Sequence, residues 1–532
     1  MLLRFCKELA KIVKVSHSLV CRGIELKLAD FIATKWCIKK TRLTRCTIKR
    51  HGSPKGAVAI DLKPTILSIQ LSSSLSISFV LARLGRITIQ ARRIFMHSDK
   101  PTYFGKLATS ILATFIFLNA NGFADTSWPQ TAVGAGTAGF SETGIASLDA
   151  AMEKIVADQD VAGMIWMLAK DGEVATFETA GLASVNDQAP MTKDTLFRIY
   201  SMTKPVTGVA LMMLHEQGLW DFDDPVSKFI PEFENLQVMT TYDSDGNMEL
   251  VPVDRQPTMR ELLNHSAGFG YGLGGSDPVN NAFRDSGVLA SDDLDQLVNK
   301  VAAIPLLSQP GEQWYYSVAV DLQGYIVQQI SGMQFGDFLQ QKIFEPLGMG
   351  DTTFYVREED QHRFAEVHNW DSERNRLVQR PHRTDRASYL DPNRIESGGG
   401  GLVSSTHNYA RFLQMLVNEG ELDGAKILSP ESVRIMRTNS LRDELDIRGG
   451  PDRPGQPGIG FGVDFAVIYD PELANSPQGP GTYYWSGAAG TWFWIDPSQD
   501  MFWLGMIQAQ GARRPGAANM RAVANDIIYD SF

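Results

Sequence analysis

Cysteine is missing from Asp125 to Phe532; the four cysteines, Cys6, Cys21, Cys37 and Cys46, all lie near the N-terminus. Most of the chain therefore has no disulfide, no thiolate nucleophile and no thiolate metal site. His362, His368, His382 and His407 show no metal-ligand spacing, so no metal is implied. A Gly-x-Ser-x-Gly elbow is absent, which leaves an α/β-hydrolase nucleophile unsupported. No Gly-x-x-x-x-Gly-Lys phosphate loop occurs, and the glycine run Gly398 to Gly401 lacks the strand-before, helix-after setting of a dinucleotide site. No organic cofactor is implied. Positive charge is scarce beyond Lys106: Met1 to Lys106 holds 21 Lys+Arg against 5 Asp+Glu, and the remainder 29 against 56. That acidity argues against nucleic-acid binding, which leaves a basic footprint, and favours solubility.

The two charge regimes divide the chain. Residues 1–95 show no sustained helical or alternating period and are expected to be a non-domain N-terminal extension, with translation starting at Met96. A basic regulatory tail is the other reading, since Lys39 to Arg50 could bind nucleic acid or an acidic surface. Residues 96–124 have a secretory pattern. Lys100 and Lys106 precede the apolar stretch Leu107 to Ala120, and Gly122-Phe123-Ala124 offers small residues for cleavage. That stretch is shorter than the roughly 20 apolar residues a spanning helix needs. The mature chain is expected to be residues 125–532, periplasmic or secreted, with no stable membrane insertion.

Within 125–532, Ala146 to Val156 reads as an amphipathic helix. Ala162 to Leu168 and Ala175 to Thr179 read as strands joined by the turn Lys170-Asp171-Gly172. Helical patterns cover Ser201 to Gln217, Thr258 to Asn264, Asp321 to Ile330, Phe335 to Ile343, Asn408 to Asn418 and Ala518 to Tyr529. Strand patterns cover Phe461 to Ile468, Thr482 to Trp485, Gly490 to Ile495 and Phe502 to Gln508, and Arg448 to Gly460 reads as a loop. Strands early and late with helices between predict an α+β sandwich. Its antiparallel sheet is built from both chain ends and flanked by helices, with a mostly helical lobe beside it.

Ser201-Met202-Thr203-Lys204-Pro205 opens one of those helices. Residues three apart share a helix face, so the Ser201 hydroxyl and the Lys204 amine are expected to meet. Pro205 fits the first turn, where its missing N–H costs nothing. A serine hydroxyl needs a neighbouring base, and a buried lysine can lower its pKa enough to be one. Taken alone, the pattern equally describes a capped surface helix. Two further stretches carry chemistry. Tyr316, before the helix near Asp321, places a phenol that can relay a proton beside a lysine. Tyr484-Trp485-Ser486-Gly487-Ala488-Ala489-Gly490 opens an apolar strand whose small residues let a substrate lie along its edge. Each also has a bland reading, a satisfied core tyrosine and a glycine-rich turn.

In order and spacing these elements resemble the serine β-lactamase and penicillin-binding-protein superfamily, whose Ser-x-x-Lys box is matched by Ser201 to Lys204. The likeness runs over most of 140–530. It is strongest to the class C-like branch, and within it to the family VIII carboxylesterases. Leu262 to Gly268, Pro310-Gly311, Tyr316-Ser317, Glu345 to Met349 and Gly398 to Ser405 add to it. The resemblance implies a β-lactamase/transpeptidase-like fold, Ser201 as the acylated nucleophile, and Lys204 with Tyr316 as its base pair. It implies an oxyanion hole from the backbone N–H groups of Ser201 and Ala488, and substrate contacts from Trp485, Ser486 and Gly487. Losing one oxyanion donor typically costs ~10²–10³ in rate.

Two positions depart from the class C pattern. Val318 stands where those enzymes have an Asn that helps bind an amide, and Trp485 stands where they have a cation for a substrate carboxylate. Both favour uncharged small-molecule esters, and the esterase members of the family commonly have Trp there. The expected activity is hydrolysis of short-chain carboxylic esters through an acyl-enzyme. A class C-like β-lactamase, a D-alanyl-D-alanine carboxypeptidase and a non-catalytic binding module of the same fold are the alternatives.

Overall fold

The computed structural model describes residues 138–532 apart from 381–387, 443–444, 446 and 448–454. It also describes Trp128, Gly134 and Gly136, and the backbone of three strands between residues 66 and 93. The expected secretory segment, 96–124, lies outside the described residues. The chain divides into two units, Met1–Asn121 and Gly122–Phe532. In the first, β1 (Ile66–Ser72), β2 (Leu75–Leu81) and β3 (Ile87–Arg93) form an antiparallel meander. Each alternates aliphatic with polar residues, as in Leu67-Ser68-Ile69-Gln70-Leu71. That run is short enough to escape a search for sustained period.

The second unit is built on an eight-stranded antiparallel sheet. Its early strands are β4 (Gly163–Lys170), β5 (Glu173–Ser184) and β6 (Ala189–Pro190). After β7 (Leu196–Arg198) and β8 (Val403–Ser405), which pair with each other apart from it, the late strands follow. These are β9 (Ile459–Phe461), β10 (Ala466–Ile468), β11 (Thr482–Ser486), β12 (Trp492–Asp496) and β13 (Met501–Met506). The order β9-β10-β11-β12-β13-β4-β5-β6 joins the two chain ends at the β13–β4 pair, where Met501 faces Lys170 and Met506 faces Ile165. At the β4–β5 hairpin, Asp171 (φ 54°) and Gly172 (φ 78°) are both left-handed, as a two-residue turn matching the sheet twist requires.

Both faces of the sheet are covered, so its central strands read as continuous apolar runs. Ile165, Met167, Phe502 and Leu504 point into a core shared with the helical lobe; Met164, Trp166, Leu168 and Trp503 point into another on the opposite face. Helix α1 (Glu142–Ala157) and the C-terminal helix, which pack on each other, cover that opposite face. The lobe is centred on α2 (Thr203–Glu216), α3 (Met259–Leu263), α4 (Ala319–Ser331) and α5 (Thr406–Val417); the C-terminal helix on the opposite face is α6 (Met520–Tyr529). Helix α2 packs mainly on α4 and is buried on nearly every side, which suits its largely apolar sequence.

Two elements differ from the sequence expectation. Phe461 to Ile468 is two strands, because Gly462 to Phe465 turns back on itself with Asp464 left-handed (φ 60°), and Gly462 N donates to Phe465 O. Phe335 to Ile343 starts as an α-helix at Phe335–Leu339 and continues as a π-helical turn at Gln340–Phe344.

Candidate active site

Ser201 lies just ahead of the α-helix in which spacing places it. It sits in a 3₁₀ turn, Tyr200–Met202, and α2 proper starts at Thr203. The turn is entered through Tyr200 in the left-handed region, φ 42°, an outlier for a bulky residue and a place where strain is stored. Surrounding hydrogen bonds impose it. Ile199 N donates to Leu402 O at 3.1 Å, Leu402 N to Thr203 Oγ1 at 3.1 Å, and the Tyr409 hydroxyl to Met202 O at 2.8 Å. Ser201 is half-buried, while Met202, Thr203 and Lys204 are fully buried.

Lys204 does not hydrogen-bond to Ser201. Its Nζ donates to Gly399 O at 2.6 Å and to the Tyr271 hydroxyl at 3.1 Å, and it stands 4.6 Å from the centre of the Tyr316 ring. Burial works against its ammonium form, but Tyr271, Tyr316 and Asp321 outweigh burial and raise its pKa above the ordinary lysine value. The lowered lysine pKa expected from burial alone is thus reversed by the company the amine keeps. Asp321, the first-turn acid of α4, is fully buried. Burial raises its carboxyl, against Lys204 and hydrogen bonds from the Ser397 hydroxyl and Gly399 N. Gly399 is therefore the hinge of the network, its N–H on Asp321 and its carbonyl on Lys204. A side chain there would collide with Asp321 Oδ2 and come within 2.8 Å of the Tyr271 hydroxyl.

Tyr316 is half-buried in an aromatic wall. Its ring centre lies 5.4 Å from Trp485, 5.5 Å from Tyr271 and 5.0 Å from His265, and Trp485 Nε1 makes a long 3.4 Å hydrogen bond to its hydroxyl. Phe461 closes on Trp485 edge-on at 5.3 Å. Ser201, Lys204, Tyr316 and Trp485 thus gather at one place, between the start of α2 and the end of β11. Val318 does not offer itself to a ligand; it is fully buried in the lobe core.

The end of β11 meets the Ser201 turn through Gly487. Gly487 N donates to Thr491 O at 2.8 Å, and a side chain at 487 would collide with Ile199 O. Gly487 thus sets how closely the two segments approach. Ala488 is exposed beyond it, and Ser486 is half-buried. Among the described residues the N–H groups of Ser201 and Ala488 have no partner, while those of Met202 and Gly490 are bonded within their turns. Among the described residues no three His, Cys, Asp or Glu side chains form a metal cluster.

Set beside known proteins, residues 148–526 match the family described as Beta-lactamase. The chain belongs to that family. It is 35% identical over 332 residues to Protein Rv1367c of Mycobacterium tuberculosis (strain ATCC 25618 / H37Rv), covering 62% of this chain and 81% of that one. It is 32% identical over 358 residues to Esterase EstB of Burkholderia gladioli, covering 64% and 84%. Among solved structures it resembles EstCE1, described as a hydrolase with promiscuous acyltransferase activity, with TM-score 0.60, 25% identity, and 73% and 99% of the two chains covered. The family member described here is thus a serine hydrolase on the β-lactamase/transpeptidase fold, with esterase-like relatives.

The sequence reasoning passed over Tyr271, Asp321 and Ser397. Asp321 carried a signal, a lone acid in the apolar run Val318-Ala319-Val320-Asp321-Leu322, where a buried carboxylate needs a partner. Tyr271 and Ser397 carried none, since each acts through a contact across the fold.

Proposed function

We propose that this protein hydrolyses short-chain carboxylic esters through an acyl-enzyme on Ser201. The observation that carries the proposal is the Tyr316 phenol, its ring facing the Lys204 amine and its hydroxyl accepting from the Trp485 indole, with no cation at 485. Lys204 and Tyr316 act as a proton-sharing pair, in one form of which the lysine is the ammonium and the tyrosine oxygen is free to accept. In that form the Tyr316 oxygen takes the Ser201 proton as Oγ adds to the ester carbonyl. The resulting oxyanion lies against the N–H groups of Ser201 and Ala488. Collapse breaks the carbonyl–alkoxide bond, and the leaving alkoxide takes back the proton. Water then attacks acyl-Ser201 by the same steps in reverse. An alcohol in place of water makes the same intermediate an acyl donor.

The aromatic wall of Tyr316 and Trp485, backed by the buried Phe461, gives a neutral ester apolar contact and offers no cation to a carboxylate. Mass spectrometry of protein quenched during turnover of p-nitrophenyl butyrate is expected to find a butyryl group on the peptide containing Ser201. Turnover with the acyl group on another side chain, or with none, would remove the basis of the mechanism.

A further inference from the structure

His265 lies outside every role assigned so far, yet it is the residue most closely tied to the chain around Tyr316. Helix α3 ends at Leu263 with Asn264 as its C-cap, and His265 follows in the left-handed region at φ 63°. That turn of the backbone aims the side chain back under residues 315–317. The His265 carbonyl accepts from Tyr315 N at 3.0 Å. Its Nδ1 accepts from Ser317 N at 3.2 Å and lies 2.9 Å from the Ser317 hydroxyl. Its ring lies against the Tyr316 ring, with 5.0 Å between centres, and against Trp314 and Phe461. His265 thus holds the chain immediately before and immediately after Tyr316 and supports its ring between.

We propose that His265 is the positioning residue of Tyr316, fixing the phenol against Lys204 by gripping the backbone on both sides of it. The proposal rests on Tyr316 acting in proton transfer, as set out above. Two features specify the residue type. Nδ1 must keep a lone pair to accept from Ser317 N, so the imidazole must be neutral with its proton on Nε2. Burial, reinforced by the Lys204 charge, holds it neutral, its pKa well below the usual histidine value. A left-handed backbone at 265 also restricts replacements to Gly, Asn and a few polar residues.

The test is a double-mutant cycle read as kcat and KM for p-nitrophenyl butyrate and as the rate of Ser201 labelling by a fluorophosphonate. Asn at 265 keeps an acceptor and tolerates the left-handed backbone; Gly tolerates the backbone and has no acceptor. We expect His265→Gly to lower kcat about tenfold to a hundredfold with KM within about threefold, and His265→Asn to recover most of the loss. In a Tyr316→Phe background, His265→Gly should change the labelling rate by less than about twofold, because the residue it positions is already disabled. A purely structural role would cost the same in both backgrounds, and that result overturns the proposal. Nitrogen NMR of the wild-type protein needs no variant to fold: His265 should show the Nε2–H tautomer and no titration in the usual histidine range. An imidazole at 265 that titrates near pH 6.5 would equally overturn it. Absence of Ser201-dependent turnover in the wild type would instead sink the esterase proposal, leaving the NMR result to judge the clamp.

Discussion

Two opposing forces act on Lys204. Burial favours a neutral amine, whereas Asp321 and two phenols favour a cation, and the cation wins. The sequence showed the burial and pointed to Tyr316, but not to Tyr271 or Asp321, which reach Lys204 only across the fold. Trp485 shows the same limit differently. Its replacement of a cation was legible in the chain, but its hydrogen bond to the Tyr316 hydroxyl was not. Trp485→Phe keeps an apolar wall and removes that donor. A hydrogen bond of about 1 kcal/mol corresponds to a fall in kcat of roughly fivefold, with KM little changed. A large rise in KM at constant kcat would make Trp485 a binding wall only. Histidines set the response to acid. His368 is buried, with Nε2 accepting from Val185 N at 3.2 Å, and burial lowers its pKa to about 4; His265 is lowered too. Between that folded value and about 6.5 in the unfolded chain, the unfolded state binds more protons. Stability is therefore full above pH 6.5 and falls as the pH drops toward 4, by about 3 kcal/mol from His368. Denaturant melts from pH 7 to 4 should show the decline, and His368→Gln should flatten it; an unchanged slope in the variant would refute the assignment.

At the scale of elements, periodicity located most helices and strands because both sheet faces and the α2 helix are buried, so apolar runs mark them. Its failures were local. The β9–β10 turn depends on Asp464 adopting a left-handed conformation, and the π-helical turn at Gln340–Phe344 depends on packing; neither is written in a hydrophobic pattern. The Ser201–Lys204 motif was picked out by its spacing, yet spacing put Ser201 inside a helix. The structure puts it in a 3₁₀ turn behind a strained Tyr200, held by β7, β8 and the end of β11. Gly487 is the contact that allows β11 to come so close. Gly487→Ala forces a methyl group against Ile199 O and Thr491 Oγ1. The expected cost is about 1–3 kcal/mol of stability, by overpacking. Because Ala488 and Ser201 are displaced together, kcat should fall more than KM rises. A variant with wild-type melting and wild-type kcat would show that the approach has slack.

Over the whole molecule, the sheet that unites the two ends of the hydrolase unit was foreseeable from strands early and late with helices between. Its register at the β13–β4 seam was not, because pairing across more than 300 residues leaves no local trace. The acidic balance of residues beyond Lys106 was legible too, and it belongs to a hydrolase with no cationic residue at position 485 to draw in a charged substrate. That makes substrate charge the point on which the account turns. The most direct measurement is kcat/KM of the full-length protein for p-nitrophenyl butyrate and for nitrocefin, with Ser201→Ala in parallel. The account predicts rapid ester turnover that vanishes in the variant, and nitrocefin turnover at least about a hundredfold slower, in line with a lost discrimination of about 3 kcal/mol. Nitrocefin turnover as fast as the ester, or ester turnover that survives Ser201→Ala, would contradict it.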